Sequence, residues 1–344
     1  MADALSMLYA ALMLLTSMAS TCGNLLLLLV LLLNKELRSN TLGLTLSFSL
    51  SDLVLGLSAI PSSAYNSLSQ PVGHSSEGAV CQGGGFIFLL LQTASLHSLA
   101  WATIYKFTEI CFALSFRSIW TVGRSRAVLV AVWLFCLANA TMPLLGFGSY
   151  AYSDSRFLCC LSFTPENRYF VLLWMGAGIV APILTMCSLY GYIVYVARKQ
   201  ARRGTFMCNE LHCFYVPANN YLRSSLVMVA TSVCLLVCWL PYISVCLYET
   251  LSGHQSPSVT AALSSWLVLT SAALNPWITC MTQTRYRVAV RRSFCRFIPC
   301  SGMFLESRSQ SSALHLHATN RVSTTTTSTS ATRPPSSPKT PTPP

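Results

Sequence analysis

Asp52 stands alone among uncharged residues in "LSFSLSDLVLG". A carboxylate in such surroundings is costly to bury, so it marks either a polar hub or a place where charge is used. The groups that suit it as neighbours are Asn24, Ser95, Ser271 and Asn275, each embedded in another apolar run. Carboxylate, hydroxyl and amide oxygens around a small void would suit a hydrated sodium ion or a proton switch. The same groups also serve as hydrogen bonds that hold helices together. A second set is Tyr105-Lys106-Phe107, at the end of a long apolar run where the chain turns basic. Glu109 lies three residues beyond Lys106, within reach of it on a helix. A third set is sulfur: Cys81, Cys159 and Cys160. Cys208, His212 and Cys213 hold soft-metal ligands at close spacing, but a zinc site needs a fourth ligand and usually a repeated pair, so no metal site is expected. No hydrolase or transferase motif occurs, and the chain does not read as an enzyme.

The elements that must position these residues follow from composition. Of 344 residues, 53% are hydrophobic and 9% charged. Soluble domains carry about 25% charged residues, so the balance points to an integral membrane protein. A bilayer crossing needs about 20 mostly apolar residues. Seven runs qualify: 5–33, 43–66, 82–105, 127–148, 169–196, 224–248 and 259–282. The first carries no charge between Asp3 and Lys35, too long for a signal-peptide core and without a basic flank, so it reads as a retained span. Asp52 is the one deep ionisable residue this reading gives to the spans. No inverted repeat is evident, which argues against a transporter or channel.

The net charge is +12, and its placement matters more than its sum. Of the 22 basic residues, all but Arg156 and Arg168 fall in the odd loops and the C-terminal segment. Basic loops stay cytoplasmic. The expected topology is a multi-pass plasma-membrane protein with the N-terminus outside and the C-terminus inside. The charge then reads as an attraction to anionic membrane lipids or an acidic cytosolic partner, not to nucleic acid. Cys81, Cys159 and Cys160 fall on the outer, oxidising side, so a disulfide from Cys81 to either Cys159 or Cys160 is expected.

Beyond the spans, "RYRVAVRRSFCRF" (285–297) repeats apolar residues every three to four positions among arginines, the pattern of a helix lying at the headgroup boundary. Cys295 and Cys300 are placed for lipidation there. From about 305 the chain is rich in Ser, Thr and Pro and cannot bury a core. Ser337, Thr340 and Thr342 each precede a proline and are candidate phosphorylation sites. The fold class is therefore an all-α membrane protein: a seven-transmembrane helix bundle (1–284), a short cytoplasmic amphipathic helix after the seventh span (285–300) and a disordered cytoplasmic tail (301–344).

Single residues then fall in a telling order. Gly23-Asn24 lies in the first span, Asp52 in the second, and Cys81 opens the third. Trp133 and Pro143 follow in the fourth, Pro182 and Tyr190 in the fifth, "CWLP" (Cys238 to Pro241) in the sixth and Asn275-Pro276 in the seventh. In these landmarks, over about 1–300, the sequence resembles the rhodopsin-like class of G-protein-coupled receptors, and looks most like its orphan branches. The spacing from Cys81 to Lys106 matches the family's spacing from cystine to its basic switch residue.

The resemblance implies an activation switch at Tyr105, Lys106, Phe107, Tyr190, Trp239, Pro241, Pro276 and Thr279. The family has Asp-Arg-Tyr or Glu-Arg-Tyr at the first three. Here the acid is Tyr105, the arginine is Lys106, and the tyrosine of Asn-Pro-x-x-Tyr is Thr279. A lysine keeps the charge and loses the planar multi-donor head. The resemblance also places a ligand pocket at Phe88, Gln92, Trp174, Trp239, Tyr242, Cys246 and Trp266. These aromatics either line a site for a neutral, lipid-like ligand or simply pack the bundle. Phe88 stands where amine receptors carry an aspartate, and Leu269 where retinal proteins carry a lysine. No cofactor is implied except a sodium ion near Asp52. The implied partners are a heterotrimeric G protein, arrestin and kinases through the tail, membrane lipids and a second receptor as dimer partner. The degenerate switch leaves two outcomes: ligand-driven or basal G-protein signalling, or a seven-span protein that acts as scaffold, arrestin partner or dimerising modulator without coupling.

Overall fold

In lipid a backbone must satisfy its own polar groups, and a helix does so within one segment. The computed structural model describes residues 2–37, 42–69, 78–112, 114–203, 206–209, 212–215, 218–282 and 284–297. Among them, seven helical segments are long and apolar enough to cross a membrane. The first is α1 (Ala2–Leu33); the second is α2 (Leu42–Leu57) continued by α3 (Ala59–Ser69); the third is α4 (Ala79–Cys111). A short α5 (Phe116–Ile119) leads to the fourth, α6 (Val122–Thr141), and the fifth runs from α7 (Arg168–Leu173) into α8 (Ala181–Arg203). The sixth and seventh are α9 (Ala218–Ser252) and α10 (Ser258–Thr282), followed by α11 (Thr284–Phe297).

Prolines account for where these helices break. The second segment breaks at Ser58, three residues before Pro61. α6 tightens into a 3-10 turn at Met142–Leu145, with Pro143 in its first turn and Gly146 closing it at φ 89°. α7 passes to α8 through a π-helical stretch, Trp174–Val180. That stretch contains Gly178, the residue whose carbonyl Pro182 cannot bond and would otherwise crowd. Pro241 and Pro276 sit inside continuous helices.

Around the bundle, α1 packs on α2, α2 on α4, α4 on α8, α8 on α9, α9 on α10, and α10 back on α1. α6 lies outside that ring against α4, fixed to α2 where the Trp133 indole donates to Ser47 Oγ at 3.0 Å. α11 begins by tucking Tyr286 and Ala289 against Leu27, Leu31 and Phe48. Burial there pushes the Tyr286 phenol pKa up.

The sequence pattern suggests no strands, and the described residues contain four. β1 (Tyr150–Ser153) and β2 (Leu158–Leu161) form an antiparallel hairpin that pairs Tyr150 with Leu161 and Tyr152 with Cys159. β3 (Phe206–Asn209) pairs with β4 (His212–Tyr215), setting Cys208 opposite Cys213. The first hairpin packs on α4. Gly85 permits this approach, since a Cβ there would fall 2.6 Å from the Tyr150 ring.

Candidate functional site

Three places in the bundle gather the residues singled out above: the end bearing the disulfide, the centre, and the opposite end, which carries Lys106.

At the disulfide end, Cys81 bonds Cys159 with a sulfur separation of 2.03 Å. Successive strand residues point to opposite faces, so Cys160 turns away from α4 and stays a buried free thiol. Burial pushes that thiol up to about 11, against the pull of the neighbouring Arg156 charge. The hairpin is fastened along its length. Tyr150 donates to the Ala140 carbonyl at 2.8 Å, and Gln82 to the Tyr150 carbonyl at 3.1 Å. At the turn, Phe157 takes a left-handed φ of 56°, a conformation that costs a non-glycine residue. α3 holds it there: Ser63 donates to the Arg156 carbonyl at 3.0 Å, and Asn66 to the Phe157 carbonyl at 3.0 Å.

The Arg156 side chain reaches into the bundle. Its Nη2 meets Glu249 Oε2 of α9 at 2.5 Å, and the guanidinium lies 5.0 Å from the Phe163 ring centre. Glu249 Oε1 also accepts from the Ser256 amide at 3.3 Å. Both side chains are buried. Glu249, three residues from the end of α9, is thus a second buried carboxylate of the bundle, nearer a helix end than Asp52. Arg156 appeared in the sequence only as one of two exceptions to the charge pattern. That exception, set against an acid at the end of an apolar run, was the available signal.

Of the residues placed in a ligand pocket, Phe88, Trp174, Trp239, Tyr242 and Cys246 share one buried core cluster, with Trp266 packed against it. Phe163, just after β2, inserts between Trp174 and Tyr242, with ring centres 6.4 and 6.2 Å away. The Trp174 indole donates to Thr93 at 3.5 Å. Cys246 lies beside the Arg156 guanidinium, 3.9 Å from Nη2. Trp266 turns toward α1 and donates to Thr16 at 3.0 Å. Phe88 lines a crevice between α3 and α4.

At the centre, Asn275 Nδ2 donates to Asp52 Oδ2 at 2.6 Å, and Ser20 donates to the Asp52 backbone carbonyl at 2.9 Å. A cavity of about 20 Å³ is lined by Asp52, Gln92, Ser95, Trp239, Ser271 and Asn275. That volume holds one water or an ion-sized species, not an organic ligand. The Gln92 amide and the Trp239 indole N–H are buried there without protein partners. The oxygens of Asp52, Ser95 and Ser271 are the donor set a small cation would meet. Asn24 stands apart from that lining and ties α1 to α10 through the Ala272 carbonyl at 3.1 Å.

At the opposite end, Lys106 Nζ pairs with Glu109 Oε2 at 2.7 Å, both about one third exposed. Tyr105 is buried, edge-on to Phe116 at 4.9 Å and Trp120 at 5.1 Å. The Trp120 indole donates to Thr108 at 2.6 Å, which fixes the loop that brings it. The residue in the acid's position therefore anchors the loop after α4 and leaves Lys106 to its own helix. Phe107 meets Phe112 and Tyr192. Tyr190 Oη lies 3.2 Å from Thr103 Oγ1, and Thr279 is buried. The Cys295 backbone continues α11; Cys300, Ser337, Thr340 and Thr342 lie outside the described residues.

The family model described as 7 transmembrane receptor (rhodopsin family) matches residues 23–278. The chain is 26% identical to the histamine H2 receptor of Cavia porcellus over 284 residues, 81% of this chain and 77% of that protein. It is 25% identical to the Homo sapiens histamine H2 receptor over 279 residues, 80% of this chain and 76% of that one. To G-protein coupled receptor 52 of Mus musculus it is 23% identical over 222 residues, 63% of this chain and 61% of that one.

Proposed function

The chain belongs to the rhodopsin family of seven-transmembrane receptors, and from that premise we propose that it passes an uncharged signal, or a basal output of its own, to heterotrimeric G proteins. The charge distribution supports a plasma-membrane orientation with the disulfide end outside and the Lys106 end in the cytosol. The observation that carries the coupling reading is the Lys106–Glu109 pair. A resting latch would tie this charge strongly to a buried acid. Instead it is shared with an exposed carboxylate on the same helix, an interaction of a few tenths of a kcal/mol. Lys106 is thus available to a cytosolic partner at little cost, and the resting state is weakly held.

The ligand class follows from the same bookkeeping of charge. The histamine H2 relatives are named for an amine, and a buried ammonium needs a counter-charge. Phe88 supplies none. Asp52 faces a cavity of about 20 Å³, too small for an organic ammonium, and Glu249 is paired with Arg156. An uncharged, membrane-soluble signal fits this bundle better. The proline-directed sites of the tail, Ser337, Thr340 and Thr342, would bring kinases and arrestin.

The test is ligand-free activation across the main Gα classes in cells, at matched surface expression, for the wild type, Lys106→Ala and an empty vector. Output above the vector in at least one class, lost in Lys106→Ala, is the expected result. Flat output in every class overturns the basal reading and leaves coupling to stand only as ligand-driven. It would favour a non-coupling scaffold or dimer partner, the reading that Thr279 in place of tyrosine supports.

A further inference from the structure

We propose that the crevice between α3 and α4 is a binding site for an uncharged, rigid amphiphile that enters sideways from the membrane, a sterol-like molecule with a single hydroxyl. The bundle mouth is filled by the hairpin, but this space beside it is open, with a volume of about 300 Å³. That reaches the lower end of the range of small-molecule sites.

Its walls are two helical stripes that face each other. α4 contributes Val80, Gly84, Ile87 and Phe88; the second segment contributes Leu55, Ala59 and Ser62. The spacings of three and four put each set on one helix face. The Cys81–Cys159 disulfide and Leu158 of β2 close the top, and Phe88 and Leu55 form the inner wall. Val80 is 83% exposed and Ile87 48%. Ile87 lies within the apolar run 82–105 and Val80 just beyond its outer end, which turns the opening they flank toward the outer lipid.

The lining selects the occupant. Among the described residues, no charged side chain contributes to it. A phospholipid phosphate requires a basic partner, and the nearby Arg156 is committed to Glu249. Polar groups are confined to hydroxyls and an amide. Ser58 and Ser62 donate to their own helix, to Val54 and Ser58 carbonyls at 2.6 and 2.7 Å. Each hydroxyl oxygen keeps acceptor capacity toward the crevice. A single ligand hydroxyl matches that set. Gly84 and Ala59 leave a shallow, smooth wall, where a rigid ring body loses less conformational freedom than a flexible acyl chain. Occupancy would press on Phe88, one helical turn from Gln92 and the central cavity. The binding site itself does not depend on G-protein coupling, although its signalling role rests on the function proposed above.

The experiment labels the purified full chain in phosphatidylcholine vesicles with a diazirine-bearing sterol and locates the adducts by mass spectrometry. Adducts on α3 and α4, displaced by unlabelled sterol and not by additional phosphatidylcholine, are expected. Gly84→Leu fills the space from a position where a Cβ meets only the Cys159 Cβ, at 3.8 Å. Gly83→Leu is the control, because a Cβ there meets nothing within 4 Å and Gly83 does not line the crevice. Labelling should fall roughly tenfold or more in Gly84→Leu, a loss of about 1.4 kcal/mol or greater, and stay unchanged in Gly83→Leu. Ala59→Leu, from the facing wall, should repeat the loss should Gly84→Leu fold poorly. Equal labelling of all variants, adducts spread over the lipid-facing surface, or displacement by phosphatidylcholine would each overturn the proposal. Basal G-protein output is read separately, so either idea can fail alone.

Discussion

Arg156 and Glu249 lie 93 residues apart and meet with side chains 5% and 8% exposed; Lys106 and Glu109 lie three apart, about one third exposed. One pair joins a hairpin to a spanning helix at the disulfide end. The other closes within a single turn of α4 at the opposite end. Water explains the difference in what they can do. A buried pair is a commitment: neither charge tolerates loss of the other, so the pair fixes which elements touch. An exposed pair is screened and cheaply broken, so it sets no geometry and can be exchanged for a partner. The molecule is thus held rigidly where a ligand would arrive and loosely where a transducer would dock.

The sharpest way to break this contrast is to cut the buried pair from one side. Arg156→Leu or Glu249→Gln leaves one charge buried alone, and should cost about 3–5 kcal/mol. The readouts are thermal unfolding in detergent and the fraction reaching the cell surface. The double change Arg156→Leu with Glu249→Leu should recover most of that loss, because an apolar pair of similar volume is often neutral. If either single change leaves the melting temperature untouched, the pair is not shielded from water and the contrast fails.

The next effect is covalent. Cys81→Ser or Cys159→Ser removes the tie between α4 and the hairpin, and should cost about 2–4 kcal/mol. Cys160→Ala should cost about 1 kcal/mol, the value of a small buried group. Peptide mapping without reduction checks the pairing directly. A Cys81–Cys160 linkage would reverse the two expectations and detach Arg156 from its present position.

The spans could be read from the sequence because bilayer length is a local constraint, satisfied by each apolar run in isolation. Asp52 was readable for a related reason: a carboxylate there demands polar neighbours, and few exist. Glu109 was found as a partner for Lys106 because three residues on a helix fix their separation. The hairpin was not readable. Its strands are four residues long, too short to carry a pattern of their own, and what holds them is distant: Ala140, Ser63 and Asn66. The choice of Cys159 over Cys160 needed the strand's alternation and its placement on α4 together. Tyr105 looked like a missing acid; that it anchors a loop depends on Phe116 and Trp120 arriving from a turn whose path the sequence did not show. The place of Phe163 between Trp174 and Tyr242 was hidden for the same reason, since the hairpin delivers it there.

The smallest expected effect tests the loose end. Glu109→Gln removes the only acid paired with Lys106 among the described residues. Stability should change by no more than a few tenths of a kcal/mol, within the error of a melting curve, because the pair is exposed and local. Signalling should respond more visibly. Freeing Lys106 shifts its balance toward the docked partner by the same few tenths, which corresponds to about a twofold rise in basal output. Raising the salt concentration in a membrane preparation should produce a similar rise in the wild type and little in the variant, since screening weakens a pair that the variant has already lost. Arg156 and Glu249 should be indifferent to that salt. A large drop in stability for Glu109→Gln would mean that the pair supports α4 structurally, and both ends of the bundle would then be held on the same terms.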